Sequence, residues 1–296
     1  MKRSYQNLFG WDVASRPVYN EFGEVINGYQ ELVRDDNEAT LNITSERYSP
    51  IPNSMFCSVL DSFAKLGCEV HKYGAMANGK KIYAQLSHEE MASAVIPNDN
   101  HGKTKGYATL VNSHDGSSAF KIFVTVIRMY CNNQFHYVNN NASNGIRIKH
   151  TVNYEAKIND LVDCIDNIVV AQKDVLHKMQ EMSETKSFDT VGDYVETLHK
   201  LEEKPRPIKQ KNEKTGNFDT VGWTPPQFST QGINIMKDYD SIWNSYKHEM
   251  NYSNWGLFNA TTHYVDHEKS ANKGNAYGLF GTGMELKGRA FKLLTN

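Results

Sequence analysis

Tyr107-Ala108-Thr109-Leu110-Val111-Asn112, then Ser113-His114-Asp115-Gly116, then Ala119 through Phe120-Lys121-Ile122-Phe123-Val124-Thr125-Val126-Ile127-Arg128, is the stretch that sets the fold. Two alternating runs rich in β-branched and aromatic residues flank Asp115-Gly116, and that arrangement predicts a long antiparallel hairpin. Side chains alternate across a strand, so Phe120, Ile122, Val124 and Val126 share one face and Lys121, Phe123, Thr125 and Ile127 the other. The first set reads as core; the second mixes a cation, aromatic and aliphatic groups, and a hydroxyl.

Upstream, a second hairpin is expected from Cys68–Tyr73 to Lys81–Leu86 around Ala77-Asn78-Gly79. Before it, Pro50 and Pro52 open a helix whose Met55, Val59, Phe63 and Leu66 recur at helical spacing and which Gly67 closes. Val18-Tyr19, Val25-Ile26, Tyr29 to Arg34 and Thr40 to Thr44 read as further short strands. Downstream the period changes. Ile158, Leu161, Ile165, Ile168, Gln172, Val175, Met179 and Met182 step by threes and fours, a heptad seam interrupted by Gln172. A helix capped by Ser187 is expected to run to about Leu201. Helices near Met236–Met250, Trp255–Glu268 and Met284–Leu294 follow. The expected architecture is α+β, with an antiparallel sheet, hairpins and one packed helix over 1–153, and a mainly helical remainder. That remainder divides into long helices over 154–201, a Lys- and Pro-bearing linker-like segment over 202–230, and a helical region over 231–296.

The net charge of -2 hides a strong local imbalance. Residues 101–150 carry six cations, Lys103, Lys105, Lys121, Arg128, Arg147 and Lys149, against Asp115 alone, and residues 151–200 swing to the acidic side. A phosphate backbone needs several cations on one surface, and Tyr107, Phe123, Tyr130, Phe135 and Tyr137 are interleaved with them as possible stacking faces for unpaired bases. The alternative is that the cations solvate a sheet and pair with the acidic helix.

Other chemistries find less support. Gly102-Lys103-Thr104 resembles the end of a phosphate-binding loop, but Pro97 stands where the motif needs its first glycine. His263 and His267 are four apart beside Asp266, yet Tyr264 follows the first histidine where a metalloprotease has Glu. No Gly-x-Ser-x-Gly elbow occurs. Cys57, Cys68, Cys131 and Cys164 form no Cys-x-x-Cys pair and read as small buried residues. The longest apolar run, Ile122 to Ile127, is far too short to cross a bilayer, and no apolar stretch follows Met1-Lys2-Arg3, so a protein of the cytoplasm is expected.

Leu110-Val111-Asn112-Ser113-His114-Asp115-Gly116-Ser117, Val126-Ile127-Arg128-Met129-Tyr130-Cys131-Asn132-Asn133 and Ile148-Lys149-His150-Thr151 follow one another as in the phage and plasmid-like family known as domain of unknown function 932. Arg16-Pro17-Val18-Tyr19, Leu32-Val33-Arg34-Asp35 and Arg47-Tyr48-Ser49-Pro50 resemble that family's opening strands. Trp255-Gly256-Leu257-Phe258-Asn259-Ala260, Tyr264-Val265-Asp266-His267, Leu279-Phe280-Gly281 and Leu286-Lys287-Gly288-Arg289-Ala290 resemble its C-terminal helices. The chain departs from the pattern over Glu202 to Pro226 and at the Asn pair after Cys131. A distant likeness of the family to single-strand annealing proteins of the Redβ, RecT and eukaryotic Rad type implies DNA recombination. The resemblance and the charge map together give the expectation of a phage-encoded protein in a bacterial cytoplasm that binds and anneals single-stranded DNA. It would act as a homo-oligomer such as a ring, without catalysis, cofactor or metal. Its contacts would be Lys103, Lys105, Lys121, Arg128, Arg147 and Lys149, with Tyr107 and Phe123 for stacking. An interaction protein directed at a host factor through the acidic helix, and a metal-dependent enzyme with a dispersed site, are the alternatives.

Overall fold

A computed structural model describes residues 4–91, 93–128, 134–137, 145–162, 165–213, 215–269 and 281–296. Strands β1 (Val13–Tyr19), β2 (Val25–Arg34) and β3 (Thr40–Ser45) form a three-stranded antiparallel sheet. Then come α1 (Asn53–Lys65), β4 (Glu69–Met76), β5 (Lys81–Ser87), β6 (Ser93–Val95), β7 (Lys103–Ser113), β8 (Phe120–Arg128), β9 (Gln134–Tyr137) and β10 (Gly145–Ile148). Their sheet runs β10-β8-β7-β5-β4, with β6 beside the start of β7 and β9 beside the end of β8. Every pairing is antiparallel, and the expected long hairpin is its centre, with Thr109 opposite Phe123. The helical half comprises α2 (Tyr154–Val162), α3 (Ile165–Glu184), α4 (Val191–His199), α5 (Thr230–Tyr246), α6 (Asn254–His263) and α7 (Thr282–Thr295). The chain is α+β, as its periodicities indicate.

Phe120, Ile122, Val124 and Val126 do face the main core, with Ile82, Ala84, Leu86, Ala108 and Leu110 from neighbouring strands. Helix α1 covers this face at one end, where Phe56 meets Phe120 edge-on with ring centres 5.8 Å apart and Phe9 at 5.7 Å. Helix α3 also lies on it. Gly106 of β7 makes the approach possible, because a Cβ there would sit 2.0 Å from the Gln172 side-chain nitrogen. Gln172, which interrupts the apolar seam, is the residue that packs against Gly106. Of the rest of the seam, Ile158, Ile168, Val175, Met179 and Met182 are buried within the chain's own core, while the Leu161 and Ile165 side chains lie outside the described residues. Residues 163–164, and with them Cys164, lie outside the described residues, as do Cys131 and the Tyr130 ring; Cys57 and Cys68 are buried and free.

Two details differ from the sequence reading, and the capping of α1 adds to it. The helix expected from Ser187 starts at Val191, because Thr190 accepts from the Asp193 amide while the Asp193 carboxylate accepts from the Thr190 amide, a complete capping box. Helix α1 has proline at its N-cap and no cap of its own. Asp12, forty residues earlier, supplies it by accepting from the amides of Asn53 at 2.6 Å and Ser54 at 3.1 Å. The segment read as a linker contains a two-stranded hairpin, β11 (Pro207–Lys211) and β12 (Phe218–Trp223).

Two buried polar nodes join the layers. In one, Arg128 of β8 makes a two-pronged ion pair with Asp99, at 2.9 and 2.7 Å, and a third bond to Glu249 at 3.2 Å, while the Trp255 indole donates to Asp99 at 2.8 Å. Burial opposes ionisation of Asp99, but these hydrogen bonds outweigh it and hold the carboxyl below its usual range. In the other, the hairpin turn docks the three-stranded sheet. Asn42 donates to the Asp115 carbonyl at 2.7 Å, Tyr48 to the Ser113 carbonyl at 3.0 Å, and the Nε2 of His114 bonds Asn53 at 2.8 Å. His150 stacks on Tyr48 with ring centres 4.9 Å apart. Burial, aided by nearby His150, pushes His114 down to about 4, and burial does the same to His150.

Two stability outcomes follow from these nodes. Asp99→Ala leaves the Arg128 guanidinium in the interior without its main partner and should cost about 3–5 kcal/mol in urea unfolding, with the double variant Asp99→Ala/Arg128→Met recovering much of it. A loss below about 1 kcal/mol for Asp99→Ala would mean that water reaches the pair. Each imidazole takes a proton near 6.5 when unfolded but only near 4 when folded, so the unfolded chain binds more protons in between. Stability should therefore fall as pH drops through that window, by on the order of 3 kcal/mol per imidazole. Equal urea midpoints at neutral pH and at the acid end of the window would contradict the burial of both rings.

Candidate nucleic-acid interface

The eight residues proposed from sequence fall into three groups. Lys121 and Arg147 are directly opposite each other on β8 and β10, with Lys149 two residues on along the same edge. Arg147 and Lys149 are exposed and Lys121 is half-buried. Lys103 and Lys105 lie at the other end of β7, about 20 Å away by strand rise. Lys103 is exposed, and the Lys105 ammonium lies 5.3 Å from the centre of the Tyr107 ring.

Tyr107, Phe123 and Arg128 are each only 1% exposed. Tyr107 is stacked on His71, with ring centres 4.8 Å apart. Phe123 packs with Val111, Met76, Tyr83 and Met284 of α7. The second face of the hairpin is thus largely a second apolar layer, which alternation alone did not reveal. Neither ring offers a face to a base here, and the Arg128 charge is already matched by Asp99 and Glu249.

Lys81 is the cation that the sequence reading missed. It faces the same side from β5, and with Arg147 it acts on Lys121: burial first, then Arg147 and Lys81, all lower the affinity of the Lys121 ammonium for its proton. Lys81 lies 4.0 Å from the Asp115 carboxylate. Among the described residues no carboxylate pairs with Lys121. Its signal was available only through register, since positions 81, 121 and 147 are brought together by strand pairing. Such a cluster can hold an oxyanion by several charge-assisted bonds at once.

Rival sites are weaker. Lys103-Thr104 opens strand β7, whereas a phosphate-binding loop leads into a helix. The His263 Nδ1 is engaged by the Tyr246 hydroxyl at 2.9 Å, and the described residues contain no group of three His, Cys, Asp or Glu placed to hold a metal. A cavity of about 540 Å³ among the C-terminal helices is lined by His199, Asp238, Lys269 and Arg289 with amide and apolar groups. There Lys269 is within 3.7 Å of Asp238, so its charges are mixed. No helix among the described residues is long and apolar enough to cross a membrane.

The model of the family described as domain of unknown function (DUF932) matches residues 40–279. The chain belongs to the DUF932 family. The stretches quoted from residues 16–35 and 286–290 fall outside that match, while the Asn112–Ser117 signature falls inside it. In this DUF932 member the signature is a docking turn. Ser113 and Ser118 bond each other across it, at 2.6 and 3.0 Å, and the Asp115 carboxylate accepts from the Ser117 amide at 3.0 Å. The same turn brings Asp115 beside Lys81 at the cation cluster's edge. No curated protein and no solved structure matches the chain.

A half-buried ammonium beside two cations is retained against a stability cost. Lys121→Met should therefore leave the urea midpoint unchanged or raise it, since it removes both desolvation and repulsion. A clear drop in midpoint would show that Lys121 has a structural partner.

Proposed function

We propose that this protein binds single-stranded DNA, with the backbone held by Lys81, Lys121, Arg147 and Lys149, and with Lys105 and Lys103 as further contacts at the far end of β7. The observation that carries this reading is the convergence of three strands' cations around Lys121, which burial disfavours and which no described carboxylate offsets. A chain of phosphates relieves that repulsion in proportion to the number of contacts. The reading assigns no role in binding to Tyr107, Phe123 or Arg128, whose side chains are buried.

Annealing of the Redβ, RecT and Rad type extends the proposal to several copies acting on one strand, within recombination or replication of phage DNA in a bacterial cytoplasm. The described seam residues Ile168, Val175, Met179 and Met182 of α3 are covered within the chain, so a homo-oligomer on this reading forms through other surfaces. Of the sequence alternatives, a host-factor ligand acting through the acidic helix and a metal-dependent enzyme, the second has no group of three His, Cys, Asp or Glu placed for a metal among the described residues.

With four to six contacts, log K should fall with log salt at a slope of roughly -3 to -4. Arg147→Glu, an exposed substitution expected to shift stability by less than about 0.5 kcal/mol, should weaken binding of a labelled oligothymidylate and flatten that slope by at least about 0.7. Lys173→Glu, on the outer surface of α3, serves as the comparison. Equal affinities for the two variants, or a salt-independent affinity in the parent, would sink the reading.

A further inference from the structure

Hairpin β11–β12 is exposed along almost its whole length, and its composition is unusual for a surface. All of β11 is exposed, and Ile208, Phe218, Val221 and Trp223 present large apolar side chains to solvent, with Phe218 and Trp223 both 64% exposed. Around them stand Lys204, Arg206, Lys209 and Lys211. The ribbon is held at its base, where Lys204 and Gln227 exchange backbone bonds at 3.1 and 3.3 Å and Arg206 donates to the Phe228 carbonyl at 2.9 Å. A register shift after Ile208 gives it a bulge, and Gly216, at φ +74°, occupies the turn. It is a positioned element with its aromatic faces open.

We propose that this hairpin is the stacking element for single-stranded nucleic acid, with bases on Trp223 and Phe218 and phosphates on Lys209 and Lys211. The inference rests on the DNA-binding reading and supplies stacking faces that Tyr107 and Phe123 of the central hairpin, both buried, do not offer. Every base has a π-face, so exposed aromatics beside cations bind single strands without sequence preference. A second copy adding a strand is the competing occupant, and the chemistry of the edge opposes it. Pro205 and Pro207 remove backbone donors where β11 begins, and Lys209 and Lys211 place like charges along the strand, both devices that discourage strand addition. A polyanion meets that edge favourably.

Trp223 makes the test direct. Trp11 and Trp255 are buried and Trp243 is half-buried, so the emission accessible to a bound base comes from Trp223. Anisotropy of a labelled oligothymidylate reports binding, and intrinsic tryptophan emission of the same samples with unlabelled oligothymidylate reports the hairpin. Quenching in the parent is expected, together with its loss in Trp223→Phe at nearly unchanged affinity. Trp223→Ala should bind roughly five- to a hundredfold more weakly. Circular dichroism melts of the variants should overlay the parent, because nothing buried is changed. Binding without quenching and with normal affinity in Trp223→Ala overturns the hairpin assignment and leaves the Lys121 surface standing. No binding in the parent overturns both. A parent oligomer that Trp223→Ala dissociates in light scattering, with DNA affinity intact, assigns the hairpin to self-association instead and overturns the proposal.

Discussion

The ion pair between Arg128 and Asp99 determines how the two halves of the chain meet. Arg128 ends the central strand β8, Asp99 sits in the turn that leads into β7, Glu249 comes from the segment between α5 and α6, and Trp255 from the first turn of α6. Two charges taken this far from water are tolerated only when their hydrogen-bonding capacity is filled. Arg128 uses its forked geometry on Asp99 and Glu249, and the indole of Trp255 occupies a further position on the carboxylate. Asn100 and Asn251 continue the seam with backbone bonds across the same junction, to Glu249 and Asn98. The helical half is therefore registered against the sheet by a polar lock as well as by apolar contact. This is why Arg128 of the basic block is a structural residue, although its position in sequence reads like a phosphate ligand.

Much of the fold was legible from local patterns. Alternation and Asp115-Gly116 gave the central hairpin, the apolar spacing of Met55 to Phe63 gave α1, and the three-and-four steps after Tyr154 gave the long helical stretch. What local patterns could not give was what lay across from each element. Phe123 and Thr125 have the spacing of an outward face, yet are buried by partners remote in sequence. Asp12 caps a helix forty residues away, a relation with no signature in either segment. At the candidate site, Lys121, Arg147 and Lys149 were visible as charges, whereas Lys81 belonged by sequence to another hairpin and entered only through register.

The pentapeptide Phe-Asp-Thr-Val-Gly makes the same point within one chain. At 188–192 its Thr190 caps a helix and Val191 is buried in the core. At 218–222 the same five residues form the outer strand of a ribbon, with Phe218 and the corresponding Val221 exposed. The difference lies downstream, where Asp193, the residue directly after the motif, completes a capping box, while Gly222 is followed by Trp223 and prolines. Propensity is weak enough that one reciprocal pair of hydrogen bonds decides the outcome.

Gly106 and Gln172 have a consequence for how such chains can vary. The glycine is a hole in the face of β7 and the glutamine is the peg that fills it, so the two positions form a single unit of change. Any side chain at 106 must be matched by a shorter one at 172, and a shorter residue at 172 alone leaves a void against the strand. Among related sequences the two columns should therefore change together, small opposite long or medium opposite small, and the pairing marks where along its axis α3 rests on the sheet.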